Sequence, residues 1–234
     1  RSAQAHLGAR PRQRALQQRR LPAREARLHA AATQIVRDLL GMPDLEPEIT
    51  GYSLWGVNEM YATNLQRGRV FCVGDAVHRH PPSNGLGSNT SIQDSYNLVW
   101  KIAAVLSGQA GPALLDTYTV ERAPVAKRIV TRANRSAREF ADIFTALDIE
   151  GLTDPAEMAA AMNRRKENTP EGAAMRAALV DAMETKNYEF NAHGVELGQF
   201  YQSDAVISDG TVPPPSRDPD LYHVMSTSPG AHLP

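Results

Sequence analysis

Cysteine is almost absent from this chain. Cys72 is the only one in 234 residues, so no internal disulfide can form, and a reducing, cytoplasmic setting is the expectation. Long apolar runs are missing too. No stretch approaches the roughly 20 residues that span a bilayer, and the arginine-rich start has no apolar core behind it, which excludes a signal peptide. The sequons at Asn89 and Asn134 then have no bearing. Neither sign of charge is in excess. The formal net charge is -1, which supplies no global field for nucleic acid or an acidic partner. Also missing are a G-x-S-x-G elbow, the lysine of a P-loop, and a G-x-G-x-x-G opening a first βα unit. The partners expected on these grounds include neither nucleic acid nor a membrane.

What is present suits a soluble core. Hydrophobic residues make up 42% of the chain, and the length fits one ordinary domain or part of a larger protein. The first residue is Arg1 rather than Met, which reads as a piece of something longer. Residues 1–27 carry Glu25 as their only acid and alternate arginine, alanine and glutamine without period. They read as an unstructured or artefactual basic leader, since they lack the lysines and aromatics of a nucleic-acid-binding arm. Leu28, Ala32, Ile35, Val36, Leu39 and Leu40 recur at helical spacing, and Gly41 and Pro43 stop that helix. Glu48 to Val57 is β-prone, 59–65 reads as a short helix, and Arg69 to Val73 ("RVFCV") as a compact strand. After a polar loop, Ile92, Ser95, Tyr96, Val99, Ala103 and Leu106 mark one face of a helix beginning near Thr90 and ended by Gly108. A helical stretch from Pro112 to about Phe140 contains Pro124, which must lie near a helix start or bend it. Asp154-Pro155 and Thr169-Pro170 are start signals for two more helices. From Tyr188 onward the chain reads as exposed linker, "DGTVPPPSRDPD" above all. No internal repeat is visible.

The chemistry concentrates in "GDAVHRHPPSNGLGSNTSIQD", Gly74 to Asp94. Asp75, His78 and His80 offer metal ligands, yet along a continuing strand 78 and 80 share a face that Asp75 does not. Ser83, Ser88 and Ser91 lie near both histidines, but nearness in sequence is not a triad. A third reading fits the order of parts better. A strand ends in Gly-Asp, a glycine-rich turn follows, and a helix start presents unpaired N–H groups and partial positive charge. Gly85 and Gly87 let backbone approach a flat ligand, and Asp75 can accept hydrogen bonds from hydroxyls. An ordinary strand–turn–helix with Asp75 as a turn residue explains the same pattern, and the residues alone leave both open.

"GRVFCVGDAVHRHPPSNGLGSNTSIQDSYNLVWKIAAVL", followed by "LLDTYTVERAPVA", resembles the FAD-dependent aromatic hydroxylases, the single-component flavoprotein monooxygenases of the phenol hydroxylase and p-hydroxybenzoate hydroxylase type. The likeness runs from about Ile35 to the C-terminus. "SLWGVNEMYA", "YEFNAHGVEL" and "YQSDAVISDG" narrow it to members acting on chlorinated phenols. The resemblance implies an α/β fold: the C-terminal part of a p-hydroxybenzoate-hydroxylase-like FAD-binding fold, rich in helix and with an incomplete sheet. It implies FAD as cofactor, NAD(P)H as co-substrate, a phenolic substrate and ortho-hydroxylation to a catechol through a flavin C4a-hydroperoxide. Carried onto matched positions, Asp75 takes the ribityl hydroxyls, and Gly74 and Ala76 flank it. Pro82, the catalytic candidate, lies beside the flavin. Gly87, Ser88 and Asn89 meet the isoalloxazine ring through backbone groups. His78 and His80 then pack the turn or face solvent.

The family's N-terminal strand and G-x-G-x-x-G helix, which hold the ADP half of FAD, have no counterpart in these residues. The expected organisation is a leader at 1–27, the end of a substrate domain at 28–66, the C-terminal part of the FAD domain at 67–187, and a linker at 188–234 toward a thioredoxin-like domain. The piece alone is expected neither to retain FAD tightly nor to turn over, and its open sheet edges to invite aggregation. A homo-oligomer is allowed, and a non-catalytic helical interaction or oligomerisation module, built on the amphipathic stretch from Pro112 to Phe140, is the alternative.

Overall fold

The helix signals are realised more fully than the strand signals. The computed structural model describes residues 23–54 and 56–232; the expectations for residues 1–22 and Trp55 fall outside them. The chain divides after Gly56 into two compact units.

In the first unit, α1 spans Ala23–Leu40, beginning inside the arginine-rich stretch. Gly41 stops it in the left-handed region, at φ 63. The apolar stripe forms a helix as its spacing predicts, but none of its described residues is buried. Period dictates local conformation; burial needs a second surface. Arg37 folds the following chain back, donating to the Leu45 carbonyl at 2.7 Å and meeting Glu46 at 2.5 Å. The β-prone residues 48–54 form no strand. Without an edge to pair with, propensity alone does not make one.

Among its described residues the second unit holds four two-residue strands in two antiparallel ribbons. β1 (Met60–Tyr61) pairs with β4 (His78–Arg79), and β2 (Gln66–Arg67) pairs with β3 (Val70–Phe71). Residues 59–65, predicted helical, instead supply β1 and the approach to a hairpin turned by Gly68 at φ 58. The "RVFCV" strand is real but only Val70–Phe71 pairs.

Four longer helices follow. α2 is Leu86–Leu106, α3 is Thr117–Arg138, α5 is Pro155–Arg164 and α6 is Pro170–Glu184; the shorter α4 (Phe140–Ala146) lies between α3 and α5. The Asp154 side chain caps α5 by accepting from the N–H groups of Ala156 and Glu157, and Thr169 caps α6 by accepting from Gly172. α3 continues through Pro124, which is exposed and removes one ladder bond on the outer side.

Two apolar clusters join these parts. Leu65, Val77, Leu98 and Tyr118 pack the ribbons against α2 and α3. Leu86, Val125, Ile129, Ala192 and Val195 bring in α8 (His193–Leu197), which follows the single turn α7 (Asn187–Phe190). Fully burying one large aliphatic side chain contributes roughly 1.5–3 kcal/mol, so these contacts outweigh ribbons of two residues each. The chain after α8 folds back. Tyr188 donates to Asp218 at 2.6 Å, and the Val195 N–H reaches the Asp220 carbonyl at 3.2 Å.

The apolar stripe marked out on α2 does not supply its buried face. Ile92, Tyr96, Val99 and Leu106 are 61–84% exposed, whereas Thr90, Asp94, Asn97 and Lys101 are buried. The polar stripe meets a polar stripe on α3, where Glu121 and Arg122 are buried as well. Among the described residues no helix is long and apolar enough to cross a membrane.

Candidate functional site

The loop of interest begins where β3 gives out. Gly74 sits at φ 60, and a Cβ there would come within 2.8 Å of the Ser91 hydroxyl. Only glycine fits this combination of left-handed backbone and close approach. Its N–H donates to Asp94 Oδ2 at 3.2 Å, and its carbonyl accepts from Val77 N–H at 2.8 Å. The result is a single tight turn, Gly74–Ala76, that buries Gly74 and leaves Asp75 and Ala76 exposed.

β4 then carries His78 inward and Arg79 outward. His78 is 2% exposed, and its Nε2 lies 3.0 Å from Asp94 Oδ2. His80 bonds through Nδ1 to the Pro81 carbonyl at 2.7 Å and stacks on His78, with ring centroids 6.2 Å apart. Partial burial pushes the His80 imidazole below its ordinary pKa, against the pull of the Pro81 carbonyl. The metal reading therefore loses its geometry: Asp75 faces out while His78 is sealed against Asp94. Among the described residues no group of three or more His, Cys, Asp or Glu is placed to hold an ion. Ser91 donates to the Gly87 carbonyl, and the histidines' partners are Asp94 and the Pro81 carbonyl rather than a serine hydroxyl.

Pro81 is buried and Pro82 exposed. Asn84 and Gly85 both take left-handed backbone, at φ 67 and φ 62, conformations that suit this residue pair. The Asn84 side chain anchors the turn, donating to the Tyr188 carbonyl at 2.6 Å. These two residues start α2 at Leu86, earlier than the expected Thr90. Gly87 and Ser88 thus occupy its first turn, where N–H groups have no intrahelical acceptor, and Asn89 follows as the residue whose N–H closes the first turn onto the Gly85 carbonyl. No side chain caps them from Gly85. Asn89 and Ser91 instead bond backward to the carbonyls of Gly85 and Gly87. Ser88 and Asn89 are exposed, and Gly87 is half-buried beside the His80 ring, 3.7 Å from where its Cβ would stand.

Of the seven residues singled out from the sequence, Asp75 and Ala76 on the first turn, Pro82 at the second, and Ser88 and Asn89 at the helix start are exposed, Gly87 is half-buried, and Gly74 is buried beneath the turn. The arrangement offers an exposed carboxylate and a helix start without a side-chain cap, which carries partial positive charge. Both suit an electron-rich ring bearing a hydroxylated chain, so the residues present fit the flavin half of FAD.

The polar scaffold behind this surface was not legible in the sequence. Asp94 Oδ1 accepts from Arg122 Nε at 2.7 Å. Burial alone would raise the Asp94 carboxyl, but the His78 bond and the Arg122 charge outweigh it and hold it below the usual range. One turn along, Glu121 accepts from Asn97 at 2.6 Å, Lys101 at 2.7 Å and Ser203 at 2.6 Å. Those bonds likewise overcome burial and keep Glu121 low. Tyr118, its phenol pushed up by burial and then by the Asp94 charge, donates to the Cys72 carbonyl at 2.9 Å. The one available signal was the spacing of Asp94, Asn97 and Lys101, which places them on one helix face; a polar face ordinarily means solvent.

Known proteins resemble this chain in sequence and in fold. Residues 5–133 match the FAD binding domain family. Phenol 2-monooxygenase of Pseudomonas sp. (strain EST1001) is 61% identical over 204 residues, covering 87% of this chain and 34% of that protein. 2,4-Dichlorophenol 6-monooxygenase of Cupriavidus pinatubonensis is 55% identical over 203 residues, with 87% and 34% coverage. Among solved structures, the flavin-dependent monooxygenase PieE, in complex with FAD and substrate, superposes with a TM-score of 0.80 at 45% identity, over 88% of this chain and 36% of that one. The chain spans about a third of the length of the relatives it matches. The expected helix-rich, sheet-poor architecture and the family likeness drawn from the "GDAVHRHPP" segment are both met, and the chain belongs to the FAD binding domain family.

Proposed function

We propose that this chain forms the flavin-facing part of an FAD-dependent phenol monooxygenase that uses NAD(P)H to ortho-hydroxylate a phenol or chlorophenol. The observation that carries this reading is the shared exposure of the Asp75 turn and the uncapped start of α2. Asp75 would accept hydrogen bonds from ribityl hydroxyls. The N–H groups at Gly87 and Ser88, with Asn89 beside them, would hold the pyrimidine edge of the ring and favour negative charge there. Pro82 would limit water beside the ring. Bound FAD supplies the chemistry of oxygen activation; the protein binds, orients and desolvates.

The chain by itself would neither retain FAD tightly nor turn over, because a G-x-G-x-x-G segment to hold the ADP half has no counterpart in these residues. Exchanging it for the matching third of the Pseudomonas phenol 2-monooxygenase tests the reading. A yellow chimera with phenol-dependent NAD(P)H oxidation is expected, with FAD affinity weakened at least tenfold by Asp75→Ala, the loss of a charged hydrogen-bond acceptor. A correctly folded chimera that binds no flavin would overturn it.

One observation favours a second reading, self-association. The apolar face of α2 borders an open cleft of 570 Å³ lined by Ile92, Tyr96, Trp100, Leu197, Tyr201 and Val206. The α3 face first considered for this role is already spent on the core. Light scattering on the chain and on Tyr96→Glu would decide: a dimer that dissociates in the variant supports the module.

A further inference from the structure

Arg122 has more partners than the Asp94 pair requires. It is fully buried, and its guanidinium spreads over three parts of the chain. Nε donates to Asp94 Oδ1. Nη1 donates to Gln199 Oε1 at 2.8 Å and to the Tyr201 hydroxyl at 2.7 Å. Nη2 reaches Gln93 Oε1 at 3.3 Å, and the Gln199 amide closes the ring by donating to the same Gln93 oxygen at 2.8 Å. Asp94 Oδ2 meanwhile accepts from the Gly74 N–H. A continuous line of bonds therefore runs from Gln199 and Tyr201, through Arg122 and Asp94, to the first residue of the Gly74–Ala76 turn. The far end is itself fixed, since Tyr201 N–H donates to the Gly230 carbonyl at 2.8 Å and Ser203 donates to Glu121.

We propose that Arg122 is a positioning residue that couples the C-terminal segment 199–203 to the flavin-facing turn, so that the seating of this segment sets how firmly the turn holds FAD. The proposal rests on the flavin reading above. Its physical basis is the rigid fork of the guanidinium, whose donors cannot be re-aimed independently. A buried guanidinium cannot leave its charge unpaired or its donors unmatched without large cost. When the acceptors at Nη1 are lost, the group must rotate to find others. The Nε bond to Asp94 then weakens, and the carboxylate that holds Gly74 is released. A side chain serving only to fill space at position 122 would need no acceptors at opposite ends of its fork.

The test removes the acceptors without emptying the site. In the full chain, Tyr201→Phe combined with Gln199→Leu takes away both partners of Nη1 at nearly constant volume, and Tyr201→Phe alone is the milder form should the pair fail to fold. Amide hydrogen exchange, read by NMR, is expected to quicken about tenfold at Gly74 in the double variant, with the amides of α5 and α6 unchanged. Tyr201→Phe with Gln199→Glu, which restores an acceptor, should recover the protection. FAD affinity, followed by quenching of flavin fluorescence in the chimera described above carrying the same substitutions, should fall and recover in parallel. Faster exchange confined to 199–203, with Gly74 unaltered, overturns the coupling; so does an altered Gly74 with unaltered FAD affinity. If the unsubstituted chimera binds no FAD, the flavin reading fails, whereas the exchange data decide the coupling to Gly74 by themselves.

Discussion

Replacing Gly74 by alanine measures how tightly the turn is built. Two separate penalties apply. The first is conformational: φ at this residue is 60, and an L-residue in the left-handed region costs roughly 1–2 kcal/mol. The second is steric. The new Cβ would lie 2.8 Å from Ser91 Oγ and 3.1 Å from Ser91 Cβ. The hydroxyl can rotate away at the loss of its bond to the Gly87 carbonyl, about 1 kcal/mol. The Cβ cannot, because it is fixed to the first turns of α2, so turn and helix must separate by some tenths of an ångström. The sum is about 2–4 kcal/mol, which at a urea slope of about 2 kcal/mol/M lowers the midpoint by roughly 1–2 M. Gly68→Ala is the control. Its φ is 58 but nothing lies within 4 Å of the added methyl, so it carries the conformational penalty alone. Gly74→Ala with Ser91→Ala should recover only the share due to the hydroxyl. Urea unfolding followed by far-UV circular dichroism gives all four midpoints. Equal losses for Gly74→Ala and Gly68→Ala would refute the claim that the turn is pressed against α2.

Other expectations concern the polar scaffold and the caps. Lys101→Met strands the Glu121 carboxylate, whose side chain is 3% exposed, and should cost about 3–5 kcal/mol; adding Glu121→Gln should return most of it, and a double-mutant cycle reads the difference. Asp94 and Glu121 are both held below the ordinary carboxylate range. Their contribution is therefore complete above the unfolded-state pKa, about 4, and is lost as pH falls through the lower folded values. Stability should drop steeply below about pH 4, and less steeply in Glu121→Gln, when urea midpoints are compared across pH. Asp154→Ala removes the acceptor for two N–H groups at the start of α5 and should cost about 1 kcal/mol, visible as faster amide exchange at Ala156 and Glu157.

Local rules were readable from the residues, and long-range ones were not. Gly41, Asp154-Pro155 and Thr169-Pro170 mark helix ends because capping and left-handed backbone are decided within a few residues. Gly74, Asp75 and the glycines at 85 and 87 pointed to a turn followed by a helix start, and both are present, the helix beginning at Leu86 rather than near Thr90. Tertiary structure decided which face of α2 turns inward. Its apolar stripe is as regular as a core stripe, yet Asp94, Asn97 and Lys101 are the residues that face α3, because Glu121 and Arg122 wait there with matching charge. It also decided that Gln199 and Tyr201, more than seventy positions beyond Arg122, complete that residue's hydrogen bonding. Sequence spacing reports periodicity along one segment; it carries no information on which distant segment will satisfy a buried charge.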